Sequence, residues 1–108
     1  MLIMHVSKMI AMTLGRKYKS KIQIGVSDNY VNLVIRSRST MPWEFLCYIQ
    51  INDNMITIAG QYPKPAMSFD VYDPNFLDGL VTEVDNLINI FENPKQRNTI
   101  NSEINIAK

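Results

Sequence analysis

The sequence predicts an α+β domain, a two-layer sandwich with helices packed on one face of an antiparallel sheet of four to five strands. Two segments of alternating apolar and polar residues, each broken by a turn, predict two β-hairpins. A third segment has apolar residues at helical spacing and predicts a long C-terminal helix with one buried side. Because the sheet and the helix each have an apolar surface to bury, stacking them gives two layers.

A short N-terminal helix is predicted first in the chain. Ser7 is a typical N-cap and Gly15 is a typical C-terminal stop. Between and beside them, apolar residues recur at spacings of three and four: Val6, Met9, Ile10 and Leu14. We therefore expect the helix to begin near Ser7 and end near Gly15.

The first hairpin is predicted over residues 19–38. A two-residue turn at Asp28-Asn29 places Ile24 opposite Leu33, whereas a three-residue loop would place Ile24 opposite Asn32. Alternation therefore selects the two-residue turn, which keeps the aliphatic side chains of both strands on one face. On the other face the same register sets two pairs of like charges across from each other, Lys21 with Arg36 and Lys19 with Arg38.

A second hairpin is predicted over residues 44–61, with a two-residue turn at Asn52-Asp53. This turn pairs Ile49 with Ile56, Cys47 with Ile58 and Phe45 with Gly60. Strict alternation points Phe45, Cys47, Ile49 and Ile51 inward, and it points Leu46, Tyr48, Gln50, Met55 and Thr57 outward. After a proline-rich connection, alternation over residues 67–72 predicts a fifth strand at the edge of the sheet.

The long helix is predicted to open at Asp73-Pro74, as an N-cap followed by proline at the first helical position. Pro94 prevents it from continuing past about residue 93. One side is a continuous apolar stripe of Phe76, Leu77, Leu80, Val81, Val84, Leu87, Ile88 and Phe91. The opposite side is predicted to be acidic, with Asp78, Glu83, Asp85 and Glu92. Gly79, inside the helix, suggests either a close backbone approach or a tolerated defect.

The domain organisation predicted from composition is a single domain over 1–93 and a polar, flexible tail over 94–108. Isoleucines at 100, 104 and 106 would supply contacts if the tail ordered on a partner. No apolar run approaches the roughly 18 to 20 residues that cross a bilayer, and no secretory signal pattern is found. We therefore expect a cytoplasmic protein that does not associate with membranes.

Catalytic and metal chemistry have little support in the residue inventory. The chain has one Cys and one His, which excludes cysteine-rich and multi-histidine metal sites. Cys47 lies among inward apolar residues and is predicted to be a buried, inert thiol, and His5 has no second ligand nearby. Asp73 is explained as a helix cap and Asp70 as a solvated charge. We therefore expect a protein that is not an enzyme and has no cofactor, metal site or catalytic residue.

Charge is distributed unevenly, although the formal net charge is +1. Residues 1–40 hold seven basic side chains and one acidic side chain, and residues 41–92 hold eight acidic side chains and one basic side chain. This asymmetry favours either attraction of a charged partner or mutual neutralisation of the two halves within the fold.

Two classes of function follow from the sheet face turned away from the helices. The first is a small protein-binding module, such as an inhibitor, immunity protein or regulatory subunit, because aromatic and Met side chains are enriched in interface cores. Its predicted contact residues are Trp43, Leu46, Tyr48, Met55 and Tyr62. The same face is also suited to homodimer formation by sheet-to-sheet packing.

The alternative to a protein-binding module is single-stranded nucleic-acid binding, in which cations contact phosphates beside a stacking aromatic ring. Its predicted contact residues are Lys19, Lys21, Arg36, Arg38 and Tyr48.

Overall fold

The architecture is a five-stranded antiparallel meander with two α-helices. The computed structural model describes residues 3–60 and 65–93, with side chains from residue 6 onward. The elements in chain order are α1 (Ile3–Tyr18), a 3-10 helix (Lys19–Lys21), β1 (Ile22–Val26), β2 (Tyr30–Ile35), β3 (Glu44–Asn52), β4 (Met55–Gly60), β5 (Met67–Asp70) and α2 (Phe76–Glu92). The strands lie side by side in the order β1-β2-β3-β4-β5. The predicted fold class is confirmed.

Both helices pack on the same face of the sheet. Helix α1 contacts β1, β2 and β3, and α2 contacts β3, β4 and β5, so the two helices divide the face between them. The core between the layers is almost entirely aliphatic, and the apolar stripe predicted for α2 is buried or partly buried along its length. The opposite face of the sheet is therefore the surface on which exposed strand residues collect.

Helix α1 is longer than the sequence predicts, because it begins before Ser7 and continues past Gly15 to Tyr18. Ser7 is fully buried within the helix instead of capping it. The helix continues past Gly15 because the basic residues that follow suit a last helical turn. Lys19, with φ of 54°, is the left-handed residue at which helices commonly stop. The predicted roles of Ser7 and Gly15 were therefore wrong.

The first hairpin has the predicted register. Ile24 lies opposite Leu33, and the backbone N–H of Ser27 donates to the carbonyl oxygen of Tyr30 at 2.9 Å across the two-residue turn. Strand β1 begins only at Ile22, however, and the residues before it form the 3-10 helix. The predicted strand pairing of Lys19 and Lys21 with the arginines that follow β2 is therefore not formed.

The second hairpin turns one residue later than predicted, at Asp53-Asn54. Asn52 pairs with Met55 and Ile49 pairs with Ile58, so the pairing is displaced by two residues. Asp53 adopts φ of 56°, a left-handed conformation that Asp tolerates in turns. The predicted pairs were wrong, but a displacement of two residues keeps every side chain of β4 on its predicted face.

A β-bulge in β3 reverses the orientation of its first residues. Leu33 pairs with Cys47 but Val34 pairs with Phe45, which leaves Leu46 without a residue opposite it. Leu46 is consequently 0% exposed, whereas Phe45 is 38% exposed on the outer side. The predicted positions of Phe45 and Leu46 were therefore both wrong, because the extra residue shifts the alternation by one.

The junction between β5 and α2 is a turn built by two aspartates. Asp70 Oδ1 accepts the backbone N–H of Tyr72 and Asp73 Oδ1 accepts that of Asn75, both at 2.9 Å. Helix α2 begins at Phe76, two residues later than predicted, because residues 73–75 are used in this turn. The edge position predicted for β5 is confirmed.

Two residues of α2 show how closely the layers meet. A Cβ atom on Gly79 would lie 2.6 Å from Cε1 of Phe69, so this glycine permits a close approach of the helix to β5. Glu83 is only 2% exposed, and its Oε1 accepts a hydrogen bond from Asn86 Nδ2 at 3.4 Å. Its predicted place on an exposed acidic side was therefore wrong, because the buried part of α2 is wider than the apolar stripe.

Candidate functional site

A row of aromatic residues lies along the outer face of the two central strands. Cross-strand pairing on this face sets Tyr30 opposite Gln50, Asn32 opposite Tyr48 and Val34 opposite Phe45. We call the four aromatic residues of this row, together with Met55 beside it, the aromatic face: Tyr30, Trp43, Phe45, Tyr48 and Met55. Neither described helix covers this row, because both pack on the other face of the sheet.

The aromatic face is exposed at its centre. Tyr48 is 43% exposed, and its ring centroid lies 6.4 Å from that of Phe45 with the planes tilted by 31°. Tyr30 and Met55 are exposed to a similar degree. Strand packing thus holds several large apolar side chains in the solvent on rigid backbone.

Trp43 and Arg36 extend the aromatic face at one end. Alternation beyond the Val34 and Phe45 pair places both on the outer side, and the guanidinium carbon of Arg36 lies 4.2 Å from the Trp43 ring centroid. Such a cation–π contact is worth about 0.5–1 kcal/mol at an exposed site. The contact fixes the direction of the Arg36 side chain and covers one face of the indole.

Asn32 lies at the centre of the same face, between Gly25 of β1 and Tyr48 of β3. Its Oδ1 is buried and, among the described residues, is the one side-chain polar atom of this kind without a hydrogen-bond partner. An unpaired buried acceptor costs roughly 1–3 kcal/mol. This acceptor therefore lowers the stability of the sheet at the centre of the face.

The basic side chains gather at the end of the sheet rather than across the aromatic face. Lys21 Nζ donates to Glu92 Oε2 of α2 at 2.9 Å, which directs this lysine toward the helix layer. Lys21, Arg36 and Arg38 nevertheless line one open pocket of about 260 Å³. Lys19 is not among the lining residues. Three of the four predicted cations are thus brought together, but only Arg36 is shared with the aromatic face.

A second ion pair joins the two helices. Lys17 Nζ donates to Asp85 Oδ2 at 2.9 Å, and the Tyr18 hydroxyl donates to Asp85 Oδ1. Burial of Asp85 opposes its ionisation, but the hydrogen bonds from Tyr18 and Lys17 outweigh burial and lower its pKa. Burial and the contact with Asp85 raise the pKa of Tyr18. Part of the predicted charge asymmetry is therefore neutralised inside the fold.

The single cysteine is part of the core. Cys47 is fully buried in β3, and burial, reinforced by the nearby Glu83 carboxylate, raises the pKa of its thiol to about 12. A thiol with this pKa holds its proton at neutral pH and is a poor nucleophile. The position predicted for Cys47, inward and buried, is confirmed.

A larger open pocket of about 620 Å³ lies between α1 and the turn after β1. Its lining residues are Ser7, Lys8, Ala11, Met12, Val26, Ser27 and Asp28. Met12 and Val26 are exposed apolar residues beside the open edge of the sheet. This pocket is separate from the aromatic face and from the pocket lined by Lys21, Arg36 and Arg38.

Of the residues predicted to contact a protein partner, Tyr48 and Met55 are exposed on the predicted face, and Leu46 is buried beneath it. Tyr62 and the tail 94–108 lie outside the described residues. Phe45 and Tyr30 were missed. Tyr30 could have been found, because the predicted register of the first hairpin already placed it on the same side as Asn32, whereas Phe45 was hidden by the bulge.

Within residues 3–60 and 65–93, no three His, Cys, Asp or Glu side chains lie close enough together to hold a metal ion. Neither helix in that part of the chain is long and apolar enough to cross a membrane. Comparison of the chain with protein-family models, curated proteins and solved structures found no match in any of the three.

Proposed function

We propose that this protein is a small cytoplasmic protein-binding module, without enzymatic activity, whose aromatic face docks onto another protein. The observation that carries the proposal is the row of exposed aromatic rings on the central strands, headed by Phe45 and Tyr48. Exposed aromatic side chains on rigid backbone supply large contact area at small entropic cost, and they are enriched among residues that dominate binding energy. An inhibitor, immunity protein or regulatory subunit works through such a surface.

The chemistry of the partner follows from the charges around the aromatic face. Its centre is uncharged, so the partner should present apolar or aromatic side chains there. Arg36 stands at one end and Asp70 lies on β5 near the other, opposite Met55. A partner with a carboxylate facing Arg36 and a basic group facing Asp70 is complementary in both charge and position.

The test places a photo-crosslinking residue, p-benzoylphenylalanine, at Tyr48 and in a control at Met12. Met12 is also a large exposed side chain, at 56%, but it lies on α1, which packs on the other face of the sheet. We expect a partner to be captured at position 48 and not at position 12. The captured protein, once purified, should bind wild type and Met12→Ala equally and bind Tyr48→Ala at least about tenfold more weakly, a loss of about 1.4 kcal/mol.

Equal capture from both positions, or equal affinity of Tyr48→Ala and wild type for the purified partner, would contradict the proposal. A cross-linked product of twice the chain's mass would instead assign the aromatic face to a second copy of this chain. Light scattering of the pure protein across a concentration series would then give the dimer's dissociation constant.

Single-stranded nucleic-acid binding is the second candidate, favoured by the proximity of Arg36 to the stacking rings. It is weaker because Lys21 pairs with Glu92 and Lys19 does not line the pocket that holds Lys21, Arg36 and Arg38. Of the four predicted cations, this leaves only Arg36 beside the rings in the described part of the chain. The measurement is fluorescence anisotropy with labelled single-stranded DNA and RNA. Binding that falls steeply with salt and is lost in Lys21→Glu/Arg36→Glu would favour this candidate, and no binding at low salt would end it.

A further inference from the structure

The pocket at the end of the sheet brings together side chains from three distant parts of the chain. It forms where the 3-10 helix, the loop after β2 and the last turn of α2 meet, and its volume is about 260 Å³. The lining residues are Ser20, Lys21, Arg36, Ser37, Arg38, Ser39 and Glu92. We call this the sheet-end pocket.

The sheet-end pocket has an excess of positive charge. Among the described residues that line it, three cations face one carboxylate, that of Glu92, which is paired with Lys21. Arg36 is held against Trp43, and no carboxylate of the described residues lies within ion-pair distance of Arg38. Placing like charges together costs free energy unless an anion compensates them. The excess of positive charge therefore favours an anion in this pocket.

The polar residues that line the sheet-end pocket and the volume of the pocket indicate which kind of anion it suits. Three of the lining residues are serines, whose hydroxyl groups can donate hydrogen bonds, and guanidinium groups match the oxygen geometry of phosphate. Drug-sized ligands occupy pockets of roughly 300–1,000 Å³, so this smaller pocket suits a single compact group. A carboxylate or a phosphodiester carries one negative charge, whereas a phosphate monoester carries about −1.5 to −2 at pH 7 and better matches the excess of two cations.

We propose that the sheet-end pocket binds a phosphate monoester dianion. Arg36, oriented by its contact with Trp43, and Arg38 contact the phosphate oxygens, and the serine hydroxyls donate to them. Free phosphate and the phosphoryl group of a small ester offer the same oxygen acceptors to these donors. The proposal does not depend on what docks onto the aromatic face.

Trp43 provides the readout, because it is the only tryptophan in the chain and Arg36 lies over its ring. The full chain is titrated at pH 8 with inorganic phosphate and, separately, with O-phospho-L-serine, and tryptophan emission is followed. Sodium chloride of equal ionic strength and dimethyl phosphate, a monoanionic diester, serve as controls. We expect saturable changes with both inorganic phosphate and O-phospho-L-serine, and binding at least about tenfold weaker for the diester. Tighter binding of phosphoserine than of phosphate would show that the ester group is also contacted.

Three charge variants test the location. Arg38→Gln should weaken phosphate binding at least about tenfold, and Glu92→Gln should strengthen it by removing the one carboxylate of the pocket. Arg16→Gln, which removes an exposed cation on α1 outside the pocket, should leave affinity unchanged. Backbone amide NMR shifts at residues 37–39 give a second measure that is independent of Trp43.

The proposal is overturned by any of three results. The first is the absence of saturable fluorescence and amide shifts up to 10 mM phosphate, roughly ten-thousandfold above the dissociation constant of a site of about 1 μM affinity. The second is an equal loss of affinity in Arg16→Gln and Arg38→Gln, which would indicate a general charge effect. The third is equal affinity for dimethyl phosphate. Failure here leaves the crosslinking test of the aromatic face untouched, so the two proposals are judged separately.

Discussion

Because of the β-bulge in β3, we expect Leu46 to contribute more to stability than Phe45, which is the opposite of what strict alternation predicts. In the structure Leu46 is 0% exposed and Phe45 is 38% exposed. The test therefore compares two single variants in the same strand, Leu46→Ala and Phe45→Ala. With strict alternation, Phe45 would be the core residue and its replacement would cost about 3–5 kcal/mol. The bulge reverses this order.

The expected loss of stability in each variant follows from how far the replaced side chain is buried. Replacing a fully buried Leu by Ala removes its transfer free energy and leaves a cavity, which together cost about 2–5 kcal/mol, so about 3 kcal/mol is expected for Leu46. The Phe45 ring has one side in solvent and contacts Tyr48 on the other, so its loss should cost about 1 kcal/mol. In a domain of this size 1 kcal/mol lowers Tm by about 4–8 °C, which predicts a drop of about 12–24 °C for Leu46→Ala.

The assay is urea unfolding followed by far-UV circular dichroism, which does not depend on Trp43 next to the altered residues. With an m-value of about 1–3 kcal/mol/M, Leu46→Ala should lower the urea midpoint by about 1–3 M, and Phe45→Ala should lower it by a third of that or less. The m-values must agree with wild type for the comparison to hold. A larger loss of stability in Phe45→Ala than in Leu46→Ala would refute the bulge and the position of Phe45 on the aromatic face.

Three further variants test local features. Gly79→Ala should lower stability by about 1 kcal/mol in thermal unfolding, because crowding of Phe69 outweighs the gain in helix propensity; a gain of stability would contradict the close approach. Asn32→Val should raise stability by about 1 kcal/mol by removing an unpaired acceptor from a strand, and a loss of stability would contradict the absence of a hydrogen-bond partner for Asn32 Oδ1. Asp85→Asn should be less stable than wild type at pH 7, and this difference should shrink on acidification. The reason is that a carboxyl group whose pKa is lowered on folding contributes stability that is present above its unfolded pKa and is lost as the pH falls through its folded pKa. A difference that does not shrink on acidification would contradict the contact with Tyr18.

The first hairpin could be predicted in detail because two independent signals agree there. Alternation of aliphatic residues and the short Asp28-Asn29 turn select the same register. In the second hairpin three consecutive turn-forming residues, 52–54, allow the turn to form at either of two positions. Both choices leave the same side chains inward, because a displacement of two residues does not change the face. The pattern therefore fixed the faces of β4 but not its pairing.

The bulge and the buried carboxylate could not be predicted from local pattern. Phe45 and Leu46 are both apolar, so the sequence gives no indication of which one turns inward, and the choice depends on the pairing with β2. Glu83 has helical spacing from the apolar stripe but is acidic, and its burial depends on how α2 packs on the sheet. Both errors concern positions where tertiary packing overrides a local rule. Of the predicted contact residues, Tyr48 and Met55 lie beyond the bulge and kept their predicted face.

Arg36 links the two proposed sites, because it lines the sheet-end pocket and stacks on Trp43 at the end of the aromatic face. Phosphate bound to its guanidinium would partly neutralise the cation that we expect to face a partner's carboxylate. If both ligands use Arg36, each should weaken the other's binding by the same factor, as linkage requires. The expected result is a lower affinity of the purified partner at saturating phosphate, and Arg38→Gln should abolish that effect while leaving partner binding in phosphate-free buffer unchanged. Independent binding of the two would show that Arg36 serves only one of these sites.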